Sequence, residues 1–180
     1  MLLEKDDSLL AIIDIQERLH PHISKGKELT ENTIRLIKGA KILGLPMLIT
    51  QQYTKGLGET IPEIVEALGD VTPIEKSAFS SYREPQFAQA LKSSGRKQII
   101  LAGIETHVCL LQTAIDSLEA GYTPIIVADC VSSRKRKNHK RALRRMENEG
   151  AIITGCESIL FELLKEAGTP EFKAISALVK

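Results

Sequence analysis

Long apolar runs are missing from this chain of 180 residues. Nothing in it approaches the roughly 18 consecutive apolar residues that a membrane helix needs. The opening Met1-Leu2-Leu3-Glu4-Lys5-Asp6-Asp7 has neither the basic start nor the long apolar stretch of a secretory signal. A surplus of one charge is missing too. Lys plus Arg is 24 against Asp plus Glu 23, so no overall field draws in nucleic acid or an acidic membrane. Cysteine is scarce at 3, an odd number whose spacing fits neither a disulfide framework nor a zinc knuckle. No G-x-G-x-x-G follows the first apolar segment, which argues against a dinucleotide site. These absences predict a cytoplasmic protein without nucleic-acid or membrane partners.

What is present is ordinary for a soluble globular protein. The chain is 43% hydrophobic and 26% charged, and its length suits a single domain over residues 1–180. Short apolar segments alternate with amphipathic ones. Strands are expected at Ser8 to Ile13, Pro46 to Thr50, Gln98 to Ala102, Tyr122 to Ala128 and Ala151 to Thr154. Val71 to Glu75 reads as a weak further strand, which Pro73 demotes to a sheet edge. Helices are expected from Ile23 to Leu43, around Pro62 to Leu68, from Pro85 to Ser94, and from His107 to Ala120. Three more follow, from about Arg134 to Glu149, from Cys156 to Ala167, and from Pro170 onward. That alternation predicts an α/β fold with a parallel sheet covered on both faces.

The run from Lys97 to Cys109 carries the most chemistry. A buried strand meets Gly103, Thr106 offers an N-cap, and Cys109 falls in the first turn of the helix that follows. First-turn N–H groups lack intrahelical partners, and the helix dipole adds partial positive charge there. A thiol so placed is drawn toward thiolate, and the free N–H groups suit an oxyanion. If the Thr106 hydroxyl caps the Cys109 N–H, that donor is lost to a substrate. The competing reading is a small buried hydrophobe, as most free cysteines are. Cys130 lies in a loop, and Cys156 also starts a helix after a strand, with no carboxylate placed to serve it.

Gly103-Ile104-Glu105-Thr106-His107-Val108-Cys109 resembles the nucleophile segment of the isochorismatase-like cysteine hydrolases, which read G-x-x-T/A-x-x-C there. Leu10-Ala11-Ile12-Ile13-Asp14-Ile15-Gln16 is similar to that family's apolar run ending in D-x-Q. Glu75-Lys76-Ser77-Ala78-Phe79-Ser80-Ser81-Tyr82 resembles its K-x-x-x-S-x-F. The resemblance covers nearly the whole chain, and the tail from Glu157 to Ile175 looks closest to the short isochorismatase-domain-containing proteins of unassigned substrate. It implies a three-layer α/β/α fold, doubly wound, with six parallel strands in the order 3-2-1-4-5-6. It also implies an Asp14, Lys76 and Cys109 triad, backbone N–H groups of Glu105 and Cys109 as an oxyanion hole, and a cis Ile104–Glu105 peptide.

Strands one and three lie about 9.6 Å apart in that order, so Lys76 must lean back across strand two. Gln16, Tyr53, Phe79, Tyr82 and Thr106 are the candidates for the substrate pocket. The metal-binding branch of the family carries D-x-H after strand two, where Gln52 and Thr54 stand here, so no metal and no cofactor are expected. Arg134-Lys135-Arg136-Lys137 with Arg144-Arg145 reads as a solvated helix face, because no aromatics interleave with it. The implied activity is hydrolysis of a small amide C–N bond through a thioester. Vinyl-ether hydrolysis of the isochorismatase type, or a non-catalytic scaffold keeping the fold, are the alternatives. A homo-oligomer is expected, since the last helix carries an apolar side that one domain leaves uncovered.

Overall fold

Residues 2–180 are described by the computed structural model. Six strands form one parallel sheet: β1 (Ser8–Ile13), β2 (Met47–Gln52), β3 (Ile74–Lys76), β4 (Gln98–Ile104), β5 (Thr123–Ser132) and β6 (Ile152–Thr154). Their order is β3-β2-β1-β4-β5-β6. The helices are α1 (Gly26–Leu43), α2 (Thr54–Leu57), α3 (Pro62–Leu68), α4 (Pro85–Ser94), α5 (Leu111–Glu119), α6 (Arg136–Glu149), α7 (Cys156–Leu164) and α8 (Pro170–Val179).

β1 and β4 read as continuous apolar runs because both of their faces are covered. Leu10, Ile12, Ile100 and Ala102 pack into one core with Leu36 and Ile37 of α1 and Leu160 of α7. Leu9, Ala11, Ile13 and Leu101 pack into the other with Phe87 and Leu91 of α4 and Ala114 of α5. Each fully buried Leu or Ile contributes roughly 1.5–3 kcal/mol relative to an exposed one. The result is a three-layer sandwich whose central pair, β1 and β4, ends in Asp14 and in the turn bearing Cys109. Topology alone therefore sets those two residues at one end of the sheet, on either side of its switch point.

Three expectations are corrected. β4 does not stop at Gly103 but runs to Ile104. β5 does not stop at Ala128, because a bulge carries it on to Ser132. Leu101 pairs with Ile126 and Gly103 with Val131, so two steps on β4 match five on β5. The extra residues include Asp129, whose Oδ1 accepts the Cys156 N–H at the start of α7, 2.9 Å away. Finally, the apolar side of α8 is covered within the chain. Ile175 is fully buried in the α1 and α7 core, and Phe172 packs on Phe161 with ring centroids 6.2 Å apart. The exposed large apolar side chains are Leu2, Tyr53, Val65 and Phe79 instead. Smaller shifts follow local chemistry. β3 begins after Pro73, which has no N–H to give a ladder.

Gly103 is where β1 and β4 touch most closely. Its φ is +130°, and a Cβ there would lie 2.0 Å from the Ile13 carbonyl oxygen. Only backbone movement relieves that clash, so Gly103→Ala is expected to cost about 3 kcal/mol or more in urea denaturation. A loss below about 1 kcal/mol would mean that β1 and β4 part easily here.

Candidate active site

Asp14 follows the last residue of β1 with φ at +53°, a left-handed conformation that Asp tolerates better than most residues. Its N–H donates to the Thr50 carbonyl at 3.2 Å. Its Oδ1 accepts the Thr50 hydroxyl at 2.7 Å, and its Oδ2 accepts the Lys76 ammonium at 2.7 Å. Both charged side chains have 0% exposure. Lys76 reaches Asp14 from the edge strand β3, its long side chain spanning β2.

The Lys76 ammonium also donates to Gln52 Oε1 at 2.6 Å and to the carbonyls of Ala78 at 3.2 Å and Phe79 at 3.0 Å. With Asp14 these make four acceptors for three protons, so the charge is fully solvated by protein. Gln52 pairs with Lys76 in the β2–β3 register, and its Nε2 donates to the Ser77 carbonyl. Thr50 and Gln52 therefore brace the ion pair from alternate positions of one strand. Sequence reading passed over Thr50 and weighed Gln52 only as a metal ligand. The available signal was a Thr-x-Gln at the exit of an otherwise apolar strand, where period-two alternation puts both on one face.

Cys109 lies in a turn that differs from the expected first turn of an α-helix. Thr106–Leu110 is π-helical, and α5 starts only at Leu111. The Glu105 carbonyl accepts the Val108 N–H at 3.0 Å and the Leu110 N–H at 3.4 Å, the residues on either side of Cys109. Thr106 does not cap the turn; its hydroxyl meets His139 Nδ1 at 3.0 Å. The peptide between Ile104 and Glu105 is cis. The Glu105 carboxylate accepts the Arg134 N–H at 2.9 Å and its Nε at 3.1 Å. Arg134 is thus tied to the site's own turn, and only the residues beyond it form the solvated basic face.

The thiol is not drawn toward thiolate. Burial pushes the Cys109 pKa well up, the Asp14 carboxylate adds to that, and the Lys76 ammonium opposes it without prevailing. Cys109 is 6% exposed, so little water is present to stabilise a thiolate. The dipole argument from sequence failed because it left out burial and the neighbouring anion. A neutral thiol beside a carboxylate can instead serve as an acid–base pair, the carboxylate being able to accept the proton as the sulfur forms a bond.

The pocket candidates divide. Tyr53 and Phe79 keep exposed rings, at 58% and 52%, close to Lys76: the Tyr53 N–H donates to the Lys76 carbonyl. Gln16 is fully buried and spent on backbone, its Nε2 donating to the Gln52 and Gly58 carbonyls and its Oε1 accepting the Gln52 N–H. Tyr82 packs against Tyr122, with ring centroids 6.0 Å apart, in the core beneath α4 and α5. Beside the Cys109 turn, a cavity of about 600 Å³ is lined by Glu105 and His107. Cys130 and Cys156 are buried, and burial raises the Cys130 pKa as well. Among the described residues no three His, Cys, Asp or Glu side chains are grouped to hold a metal ion.

Residues 8–158 match the family description "Isochorismatase domain". A secreted isochorismatase effector, Isc1, of Phytophthora sojae is 39% identical over 178 residues, covering 96% of this chain and 84% of that protein. Isochorismatase domain-containing protein 2A of Mus musculus is 35% identical over 176 residues, covering 97% and 84%. A solved structure described as the MAR1 ribonuclease from Caenorhabditis elegans superposes with a TM-score of 0.93 at 38% identity, covering 99% of this chain and 92% of that one.

The ion pair makes a stability prediction. Lys76→Met strands a buried carboxylate and is expected to cost about 3–5 kcal/mol in denaturant unfolding. Adding Asp14→Asn should recover part of that loss, because the double variant buries no charge. Additive losses in the double-mutant cycle would contradict a direct Asp14–Lys76 interaction.

Proposed function

The chain belongs to the isochorismatase family of hydrolases, and on that premise we propose that residues 1–180 form one hydrolase domain cleaving a small amide C–N bond through a Cys109 thioester. The observation that carries the proposal is the buried Cys109 thiol beside a buried Asp14 whose other partners, Thr50 and Lys76, fix its position. In the first step Asp14 takes the thiol proton while the sulfur attacks the substrate carbonyl carbon. The oxyanion that forms is held by the N–H groups of Glu105 and Cys109. Collapse breaks the C–N bond as Asp14 delivers its proton to the leaving nitrogen, and the amine departs. Water then attacks the thioester, giving a proton to Asp14. The C–S bond breaks, the proton returns to sulfur, and a carboxylic acid leaves.

Lys76 holds Asp14 in place throughout, and its ammonium offsets the negative charge that passes between sulfur and carboxylate. No cofactor is required by these steps. Vinyl-ether cleavage would need the acid but leave the thiol without a role. Ribonuclease is the printed description of the C. elegans structure, and a nucleophile with 6% exposure favours a small substrate over a polymer. We place the protein in a reducing cytoplasm on the strength of its three free, buried cysteines. Assembly of copies is assigned to the rim marked by Tyr53 and Phe79 rather than to α8.

The test is a screen of small amides and imides with wild type, Cys109→Ser and Asp14→Asn, with a single-stranded RNA in parallel. For any amide turned over, Asp14→Asn should lower kcat by about 10²–10⁴-fold, and Cys109→Ser should lower it at least as far, both with unchanged far-ultraviolet circular dichroism. Acid-quenched wild type should carry the acyl group on Cys109 by intact mass. Wild-type turnover by Cys109→Ser would refute the nucleophile, and RNA cleavage without amide turnover would refute the substrate class.

A further inference from the structure

The net charge of the chain is +1, yet its cations are far from evenly spread. Two cavities flank the Cys109 turn, of about 600 Å³ and about 220 Å³. Both are lined by His107 and Asn138, so they adjoin, and together they form a grooved surface that starts at Glu105 and follows α6. Arg18, Arg134 and Lys135 line its larger part, and Arg141 and Arg145 its smaller part. The single acid in the wall is Glu105, already bonded to Arg134. Arg145 faces Glu149 at 3.7 Å, but both side chains are about half exposed, and such a pair holds its charge weakly. Lys135 and Arg141 have no carboxylate partner among the described residues.

A groove with five cations and one neutralised acid is built for an anion. From Lys135 to Arg145 the charges extend about 15 Å along the helix, at about 1.5 Å per residue. That length exceeds what one carboxylate would occupy and suits a chain of phosphates. The groove volume is that of a small-molecule site. No Phe, Tyr or Trp lines it, so it lacks the stacking platforms that single-stranded nucleic acids use. We propose that the groove binds a small phosphate-bearing molecule. On the hydrolase reading, which this rests upon, it seats the anionic end of the substrate while the reacting carbonyl lies at Cys109.

Titration of inorganic pyrophosphate by calorimetry tests it, using wild type, Cys109→Ser, Lys135→Ala/Arg141→Ala, and a charge-matched control, Lys38→Ala/Lys173→Ala. All four control and groove positions are exposed, so both double variants should fold. Wild type and Cys109→Ser should bind alike, the groove variant about tenfold or more weakly, and the control within about twofold. Equal weakening in both double variants would show a diffuse field rather than a site and overturn the proposal, as would absence of binding. So would an oligoribonucleotide that needs Lys135 and Arg141 but is not displaced by pyrophosphate. Binding is read in Cys109→Ser, which does no chemistry on the proposed mechanism. Pyrophosphate binding without amide turnover therefore sinks the hydrolase reading alone, and amide turnover without pyrophosphate binding sinks the groove alone.

Discussion

A buried ion pair between Asp14 and Lys76 sets the terms for everything around it. Taking two charges out of water is costly, and mutual attraction repays the cost only when the remaining protons and lone pairs also find partners. The fold answers that demand from four directions. β1 delivers the carboxylate in a left-handed turn, and β2 supplies the Thr50 hydroxyl and the Gln52 amide. β3 supplies the ammonium, and the chain just after it turns the Ala78 and Phe79 carbonyls onto the same nitrogen. A pair of well-packed apolar residues would often serve stability as well or better. The physical case for the arrangement is therefore a case for chemistry.

The same pair acts on the state of the thiol, second to burial. Burial does most to hold the proton on Cys109, and the Lys76 ammonium works against it. With Asp14 between them in charge terms, and with burial, the proton stays on sulfur. The proposed mechanism uses that state directly, since a proton held on sulfur at rest is available to the leaving nitrogen after passing through Asp14. Catalysis of this kind needs a fixed carboxylate more than a reactive thiol, and the hydrogen bonds from Thr50 and Lys76 fix it.

Much of this was legible in the sequence, for reasons that can be stated residue by residue. Runs such as Leu9 to Ile13 and Ile99 to Ala102 announce strands covered on both faces, and the helices between them announce a parallel sheet. The strand order came from resemblance, because periodicity carries no order, and the observed order agrees with it. Asp14, Lys76 and Cys109 could be named as residues, but the reach of Lys76 across β2 depends on tertiary register. Other features were hidden because no local pattern encodes them. The bulge in β5 looks like a strand end, since Asp129 and Cys130 interrupt its apolar run. The π-helical turn has the same composition as the first turn of an α-helix. The elevated thiol pKa depends on burial, which a first-turn position does not report.

The groove along α6 shows the same limit from the other side. In sequence, Arg134 to Arg145 is a charge run with a buried stripe, and a solvated face explains it fully. Only folding brings Arg134 onto Glu105 and places Lys135 and Arg141 around cavities that also contain His107. The centre of the account remains the protonation state at Cys109. Infrared difference spectroscopy between wild type and Cys109→Ser at neutral pH reads it through the S–H stretch. A neutral thiol predicts an S–H band that depends on Cys109 and persists past the ordinary cysteine pKa of about 8.5. A missing band, with thiolate absorbance lost on Cys109→Ser at neutral pH, would contradict Asp14 as the base.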